Sequence, residues 1–193
     1  MGESGKNTLV ATDRRTWPPR TAFALCGVLV LGAAACEPIT LMEPALSPEG
    51  YSVAYVIDGD TIDVETPEGE TQRVRLLGIN TPEVGRDGEE GQCGGEEAAA
   101  QLEELLPKGA EVQLVPDRRA DDADRYGRLL RYVETEAGTD TGAALINKGY
   151  AYAWVPASEP APERADDYET ATAAARDANA GAWAACPDLE ESR

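Results

Sequence analysis

VAYVIDGDTIDVETPEGETQRVRLLGINTPE, residues 53–83, holds two short polar clusters inside strand-like apolar runs. They are Asp58-Gly59-Asp60-Thr61 and Arg75-Leu76-Leu77-Gly78-Ile79-Asn80-Thr81-Pro82-Glu83. Between them, Ile62-Asp63-Val64-Glu65 alternates apolar and polar residues, Thr66-Pro67-Glu68-Gly69-Glu70 supplies turn formers, and Gln72-Arg73-Val74-Arg75-Leu76 alternates again. That order predicts strand, turn, strand. A hairpin would bring Asp58, Asp60, Glu83, the Asn80 and Thr81 oxygens and the Arg75 guanidinium into one neighbourhood. Oxygen ligands suit a hard cation, an arginine fork suits phosphate, and a remaining carboxylate can take a proton from water.

Each cluster alone has a plainer reading. Asp-Gly-Asp is a turn far more often than a metal site, and a strand arginine is commonly a surface charge. A calcium loop of the EF-hand type fails at both places where it could start. Ile62 stands where a third oxygen ligand belongs, and Val133 stands where the closing glutamate would follow Asp122. What raises the functional reading is the fixed distance between Arg75 and Asn80-Thr81-Pro82-Glu83.

Farther along, a glycine- and acid-rich loop (84–95) leads into a helix over 96–106, with Ala98, Leu102, Leu105 and Leu106 on one face. Strands follow at 112–115 and 128–133, with a polar loop over 116–124 between them. A short helix opens at Asp140-Thr141 and closes at Gly149. An aromatic strand spans 150–155. A last helix over 163–180 places Ala165, Tyr168, Thr172, Ala175 and Asn179 at helical spacing, with Gly181 closing it and Tyr168 assigned to packing. Five strands with helices between and behind fit an α+β domain on a five-stranded OB-fold barrel with about three helices.

The chain of 193 residues carries 36 acidic residues against 17 basic ones and no histidine, for a net charge of −19. Nucleic-acid binders usually show a basic footprint, so any phosphate contact must be local. Lysine is confined to Lys6, Lys108 and Lys148, which gives the look of a salt-adapted, halophilic surface. At about 1 M salt the Debye length is about 3 Å, so diffuse acidity would hardly repel a phosphate held by arginines.

Near the N-terminus Arg14-Arg15 precedes an apolar run over 21–35 that ends in Gly32-Ala33-Ala34-Ala35-Cys36. The run is short for a bilayer span, and its flanks describe an export leader of the twin-arginine (Tat) kind. Cys36 stands where a lipobox cysteine would carry lipid, with an uncleaved signal anchor as the alternative. These features predict a lipoprotein signal peptide over 1–35, a proline-rich tether over 36–50, a domain over 51–186 and an acidic tail over 187–193. The protein would then be held on the outer face of the cytoplasmic membrane, as a monomer. Loss of Cys26 with the leader and lipidation of Cys36 leave Cys93 and Cys186, an even remainder that suggests a disulfide in an exported chain.

The two clusters of 53–83 resemble those of the thermonuclease family, the staphylococcal-nuclease-like, calcium-dependent nucleases built on an OB-fold barrel. The likeness continues in Asp124-Arg125-Tyr126-Gly127-Arg128-Leu129-Leu130 and in Leu145-Ile146-Asn147-Lys148-Gly149-Tyr150-Ala151, so ordered motifs run from about Tyr51 to Trp183. The resemblance implies that Asp60, Asn80 and the Thr81 carbonyl hold Ca2+, with Asp58 adjacent. It implies that Glu83 orients or deprotonates water, that Arg75 and Arg128 clamp the phosphate, and that Tyr126 lies against the nucleotide of a DNA or RNA substrate. Two departures stand out: Asn80 replaces the family's usual aspartate, and Trp154-Val155-Pro156 replaces the expected tyrosines. The competing reading is a non-catalytic OB-fold module that binds nucleic acid or a protein at the cell surface. The joint presence of Asp60, Arg75, Glu83 and Arg128 argues against it.

Overall fold

The computed structural model describes residues 50–86, 88–186 and Leu189. The expected leader, Cys36 and nearly all of the tether lie outside the described residues, as does most of the acidic tail. Strands β1 (Tyr51–Val56), β2 (Thr61–Glu65) and β3 (Thr71–Leu76) are followed by the two-residue β4 (Ile79–Asn80) and helix α1 (Gly95–Leu105). Then come β5 (Glu111–Val115), β6 (Leu129–Thr135), α2 (Thr141–Lys148), β7 (Tyr152–Ala153), α3 (Ala165–Asp177) and a 3-10 turn (Gly181–Ala184). Among the described residues no helix is long and apolar enough to cross a membrane.

The barrel closes in the order β1-β2-β3-β6-β5, with β1 and β5 joining its ends. Closure leaves no open sheet edge. All pairs are antiparallel except β3 with β6. A parallel pair needs a long crossover, and α1 and β5 lie within the connection from β3 to β6. Alternation of apolar residues decides which face points inward: Ile62, Val64, Val74 and Leu76 are buried, and Leu102 and Leu106 from the α1 region join the same core with Leu145 and Ile146 of α2. Deleting a side chain such as Leu102 to alanine would cost about 2–5 kcal/mol.

The helix ends follow their sequence signals. The Asp140 carboxylate accepts from the Ala143 amide at 3.0 Å, and Gly149 closes α2 at φ 80°. Tyr168 is buried as a packing residue, and its hydroxyl also donates to Asp140, which in turn receives Arg164 at 2.6 Å. That network fastens α3 to the start of α2 and, through a bond from Arg164 to Glu134, to β6.

Three expectations are corrected. The aromatic strand over 150–155 shrinks to Tyr152–Ala153 and pairs with β4 in a separate two-stranded sheet outside the barrel. The last helix ends before Asn179, which is exposed at φ 49°, a left-handed conformation that asparagine tolerates; Gly181 opens the 3-10 turn instead of closing the helix. Leu189, read as part of an acidic tail, is buried in a second apolar cluster with Tyr152, Ala175, Ala182, Trp183 and Cys186.

Candidate active site

The register of β2 on β3 sets Thr61 opposite Arg75, which brings Asp60, one residue before β2, alongside the arginine. The Leu76 amide donates to the Asp60 carbonyl at 2.8 Å and extends the pairing by one step. Gly59 then lets the two polar clusters meet, since a Cβ there would come within 2.7 Å of Thr81 Oγ1 and 2.8 Å of the Ala98 methyl. Any side chain at Gly59 would force Thr81 and α1 off the Asp60 loop.

Asp60 is the centre of this arrangement. Its Oδ2 pairs with Arg75 Nη2 at 2.9 Å and accepts from the Thr81 amide at 3.1 Å, while Oδ1 accepts from Thr61 Oγ1 at 3.0 Å. Burial, aided by the charges of Asp58 and Glu83 and opposed by Arg75, pushes its carboxyl up to about 6. Asp58 accepts from the Asp60 amide at 3.1 Å and is paired with Arg86 at 3.1 Å. Asp58 and Glu83 thus both act on Asp60, which sets three carboxylates against the guanidinium groups of Arg75 and Arg86, a surplus of negative charge that a cation would relieve.

Arg75 spreads its donors over Leu76 O at 2.6 Å and Asn80 Oδ1 at 3.0 Å besides Asp60. Asn80 Nδ2 donates to the Tyr152 hydroxyl at 2.8 Å and to Thr81 O at 3.2 Å. The amide orientation follows from that network, because the opposite one would aim an NH2 group at the guanidinium. Asn80 Oδ1 keeps one lone pair free. The donor set of Asp60, Asn80 Oδ1 and Thr81 O is all oxygen and fits a hard divalent cation, with one formal charge fewer than a dicarboxylate site would have. Among the described residues no three or more His, Cys, Asp or Glu side chains gather into a metal cage, so a cation here would take two of its donors from an amide and a backbone carbonyl.

Arg75 also lines a cavity of about 310 Å³, shared with Arg128, Arg125, Tyr126 and Trp154. The parallel pairing of Arg75 with Leu130 delivers Arg128, just before β6, to the same wall. Asp124 holds Arg128, its Oδ2 accepting from Nε at 2.7 Å and its Oδ1 from the backbone amide at 3.0 Å. Burial works against the Asp124 charge, but these bonds and the Tyr126 amide outweigh it and hold the carboxyl below its usual range. Tyr126 is 68% exposed, with the Arg125 guanidinium 4.7 Å from its ring centroid. An exposed ring flanked by guanidinium groups suits a nucleobase or sugar against it and phosphate beside it.

Asp58, Asp60, Arg75, Asn80 and Thr81 therefore touch directly. Glu83 borders them by charge from an exposed loop, and Arg128 and Tyr126 meet Arg75 across the cavity. Cys93 and Cys186, far from the cavity wall in sequence, are joined with their Cα atoms 5.7 Å apart. Trp154, noted in the sequence only as a departure from the family's tyrosines, is carried onto the cavity wall by the β4–β7 pairing and a bond from its amide to Gly78 O at 2.9 Å. Arg125 carried no role in the sequence reading, although it stands inside the quoted motif. Arg86 and Gln92, whose partners are Asp58 and Glu83, lie in a glycine-rich loop without periodicity, so no signal marked them.

Comparison with known proteins agrees with this geometry. The family described as Staphylococcal nuclease homologue matches residues 73–185. Endonuclease YhcR of Bacillus subtilis is 32% identical over 139 residues, covering 68% of this chain and 11% of that protein. A thermonuclease of Staphylococcus intermedius is 40% identical over 85 residues, covering 44% of this chain and 48% of that protein. A micrococcal nuclease of Shigella flexneri is 31% identical over 145 residues, covering 70% of this chain and 76% of that protein. The chain thus spans a small part of the first of these relatives, about half of the second and most of the third. That matched span carries barrel strands β5 and β6 with most of β3, all three helices and the arginine-lined cavity, and the chain belongs to the staphylococcal nuclease homologue family.

Proposed function

We propose that this protein is an exported, calcium-dependent nuclease that hydrolyses phosphodiester bonds of DNA, RNA or both, acting as a monomer. The observation that carries the proposal is the double engagement of Arg75, which is bonded to Asp60 and Asn80 on one side and lines the cavity on the other. Oxygen donors and phosphate clamp share one residue as their common wall.

Asp60, Asn80 Oδ1 and the Thr81 carbonyl would hold Ca2+, with Asp58 supporting them through the Asp60 amide. When bound, the ion supplies neutralisation of phosphate charge and a more acidic water. Arg75 from β3 and Arg128 from just before β6 reach the phosphate, and their planar forks stabilise the charge that grows on its oxygens as the bond to the leaving oxygen lengthens. Glu83, exposed and free to face the phosphorus, orients water and takes its proton. Tyr126, Trp154 and Arg125 receive the nucleotide.

The acidic surface slows encounter with a polyanion at low ionic strength and is screened at high salt. Residues 1–35 would serve as a Tat-type leader and Cys36 as a lipid anchor at the outer face of the cytoplasmic membrane, with the following proline-rich segment as tether. The test is cleavage of single- and double-stranded DNA and of RNA across salt concentrations, with calcium or with excess chelator. Calcium-dependent cleavage supports the proposal. Full activity in chelator removes the metal role, and binding without cleavage under every condition replaces the enzyme with a non-catalytic module.

A further inference from the structure

We infer that Gln92 is the positioning residue for Glu83 and that the Cys93–Cys186 disulfide holds Gln92 in place, an inference that rests on the proton-accepting role proposed for Glu83. Gln92 grips Glu83 on both sides of its Cα. Its side-chain Oε1 accepts from the Glu83 backbone amide at 2.7 Å, and its backbone amide donates to the Glu83 carbonyl at 2.9 Å. Glu83 lies on irregular backbone beyond β4, where no strand ladder fixes it. Its carboxylate makes no hydrogen bond among the described residues, so the direction of that side chain is set by its backbone.

The clamp is itself tethered at the next residue. Cys93 is bonded to Cys186, which is buried in the second apolar cluster beside Ala182, Trp183 and Leu189. Gly94 lies so close to that cluster that a Cβ would meet the Ala182 methyl at 3.0 Å and Cys186 Sγ at 3.5 Å. At Gly95 a Cβ would collide with the Glu83 carbonyl. The start of α1, the Glu83 backbone and the C-terminal segment are therefore packed as one stack with the disulfide as its covalent pin.

Glu89, Glu90 and Gly91 of the intervening loop are exposed. Among the described residues its anchors besides Gln92 lie at Arg86, whose carbonyl accepts from the Glu89 amide at 2.9 Å and whose guanidinium donates to Ile57 O at 3.0 Å and to Asp58 at 3.1 Å. Without the pin, Gln92 can swing away from Glu83, which loses its aim while the barrel stays closed. The same C-terminal cluster reaches the other half of the site through Tyr152, whose hydroxyl accepts from Asn80.

The test uses the full chain in oxidised form, with calcium, and compares the parent, Gln92→Met, Gln92→Glu, the double variant Cys93→Ser with Cys186→Ser, and Glu83→Gln. Steady-state cleavage is read beside hydrogen exchange at the Glu83 amide. Gln92→Met keeps length and loses the acceptor, so kcat should fall about 10- to 100-fold with KM within about twofold. The Glu83 amide should exchange faster, and Gln92→Glu, which restores the acceptor, should restore most of kcat. The double cysteine variant should show the same kcat loss and exchange, and adding Gln92→Met to it should cost little more. Parent-like kcat in Gln92→Met beside an inactive Glu83→Gln overturns the clamp and leaves the role of Glu83 standing. Parent-like kcat in Glu83→Gln removes that role and this inference with it. A fully active double cysteine variant overturns the part assigned to the disulfide.

Discussion

The hairpin wall of the cavity and its rim hold their arginines in opposite ways. Arg75 has a side chain 10% exposed, its terminal nitrogens are engaged by Asp60, Asn80 and Leu76, and it rises from the middle of a closed barrel. Arg128 has a side chain 30% exposed, is held through Nε by Asp124, and has terminal nitrogens with no hydrogen bond among the described residues. The wall thus fixes geometry before substrate arrives, whereas the rim keeps donors in reserve for it. Pre-organised groups cost no rearrangement at the moment of reaction, and reserve donors provide binding.

The largest effect should come from breaking the wall. Arg75→Ala leaves Asp60 as a buried, unpaired carboxylate, so it should destabilise the fold by about 3–5 kcal/mol as well as abolish the clamp. Urea unfolding of the two proteins checks the first effect, and Arg75→Lys, which keeps the charge but loses the fork, separates the second. Equal stability of Arg75→Ala and the parent would mean the wall is no more rigid than the rim.

At the rim, Arg128→Lys should lower kcat by about 10²-fold while changing stability by less than about 1 kcal/mol. Tyr126→Ala should act more weakly still, on affinity rather than on kcat, by about 1 kcal/mol for a lost stacking face. Equilibrium binding of an oligonucleotide in calcium checks it. A fall in kcat at unchanged affinity would move Tyr126 from the rim into the chemistry.

The smallest effect sharpens the charge argument at Asp60. Burial raises its carboxyl from 3.8 to about 6, so without a cation the neutral form suits the fold. The stability it contributes is full below about pH 4 and is lost as pH rises through about 6. A cation binds the ionised form, so calcium should raise the melting temperature more at pH 7.5 than at pH 5. That difference should vanish in Asp60→Asn. An equal calcium shift at both pH values would place the ion elsewhere.

Much of the wall was legible because its cause is local. Alternation over 62–65 and 72–76 with a Pro-Gly turn between sets the hairpin register, and register alone puts Asp60 beside Arg75. The Asp140 cap and Gly149 stop of α2 were legible for the same reason. The rim was less so. Trp154 reaches the cavity only because a two-residue strand pairs with Ile79–Asn80 across a long separation, and an aromatic run over 150–155 looks the same whether it enters the barrel or not. Gln92 and Arg86 act through single hydrogen bonds from an irregular loop, which leave no period to detect. Asn179 shared the helical spacing of α3, yet the helix had already ended, since the spacing cannot tell a last turn from its continuation.

The central claim is that a fixed wall of Asp60 and Arg75 serves a reaction in which Glu83 takes the proton. Single-turnover cleavage by Glu83→Gln in saturating calcium, measured beside its affinity for an uncleaved oligonucleotide, tests that claim most directly. The rate should be lower by about 10²- to 10⁴-fold with affinity within about twofold of the parent. A folded Glu83→Gln protein that cleaves at the parent rate would contradict it.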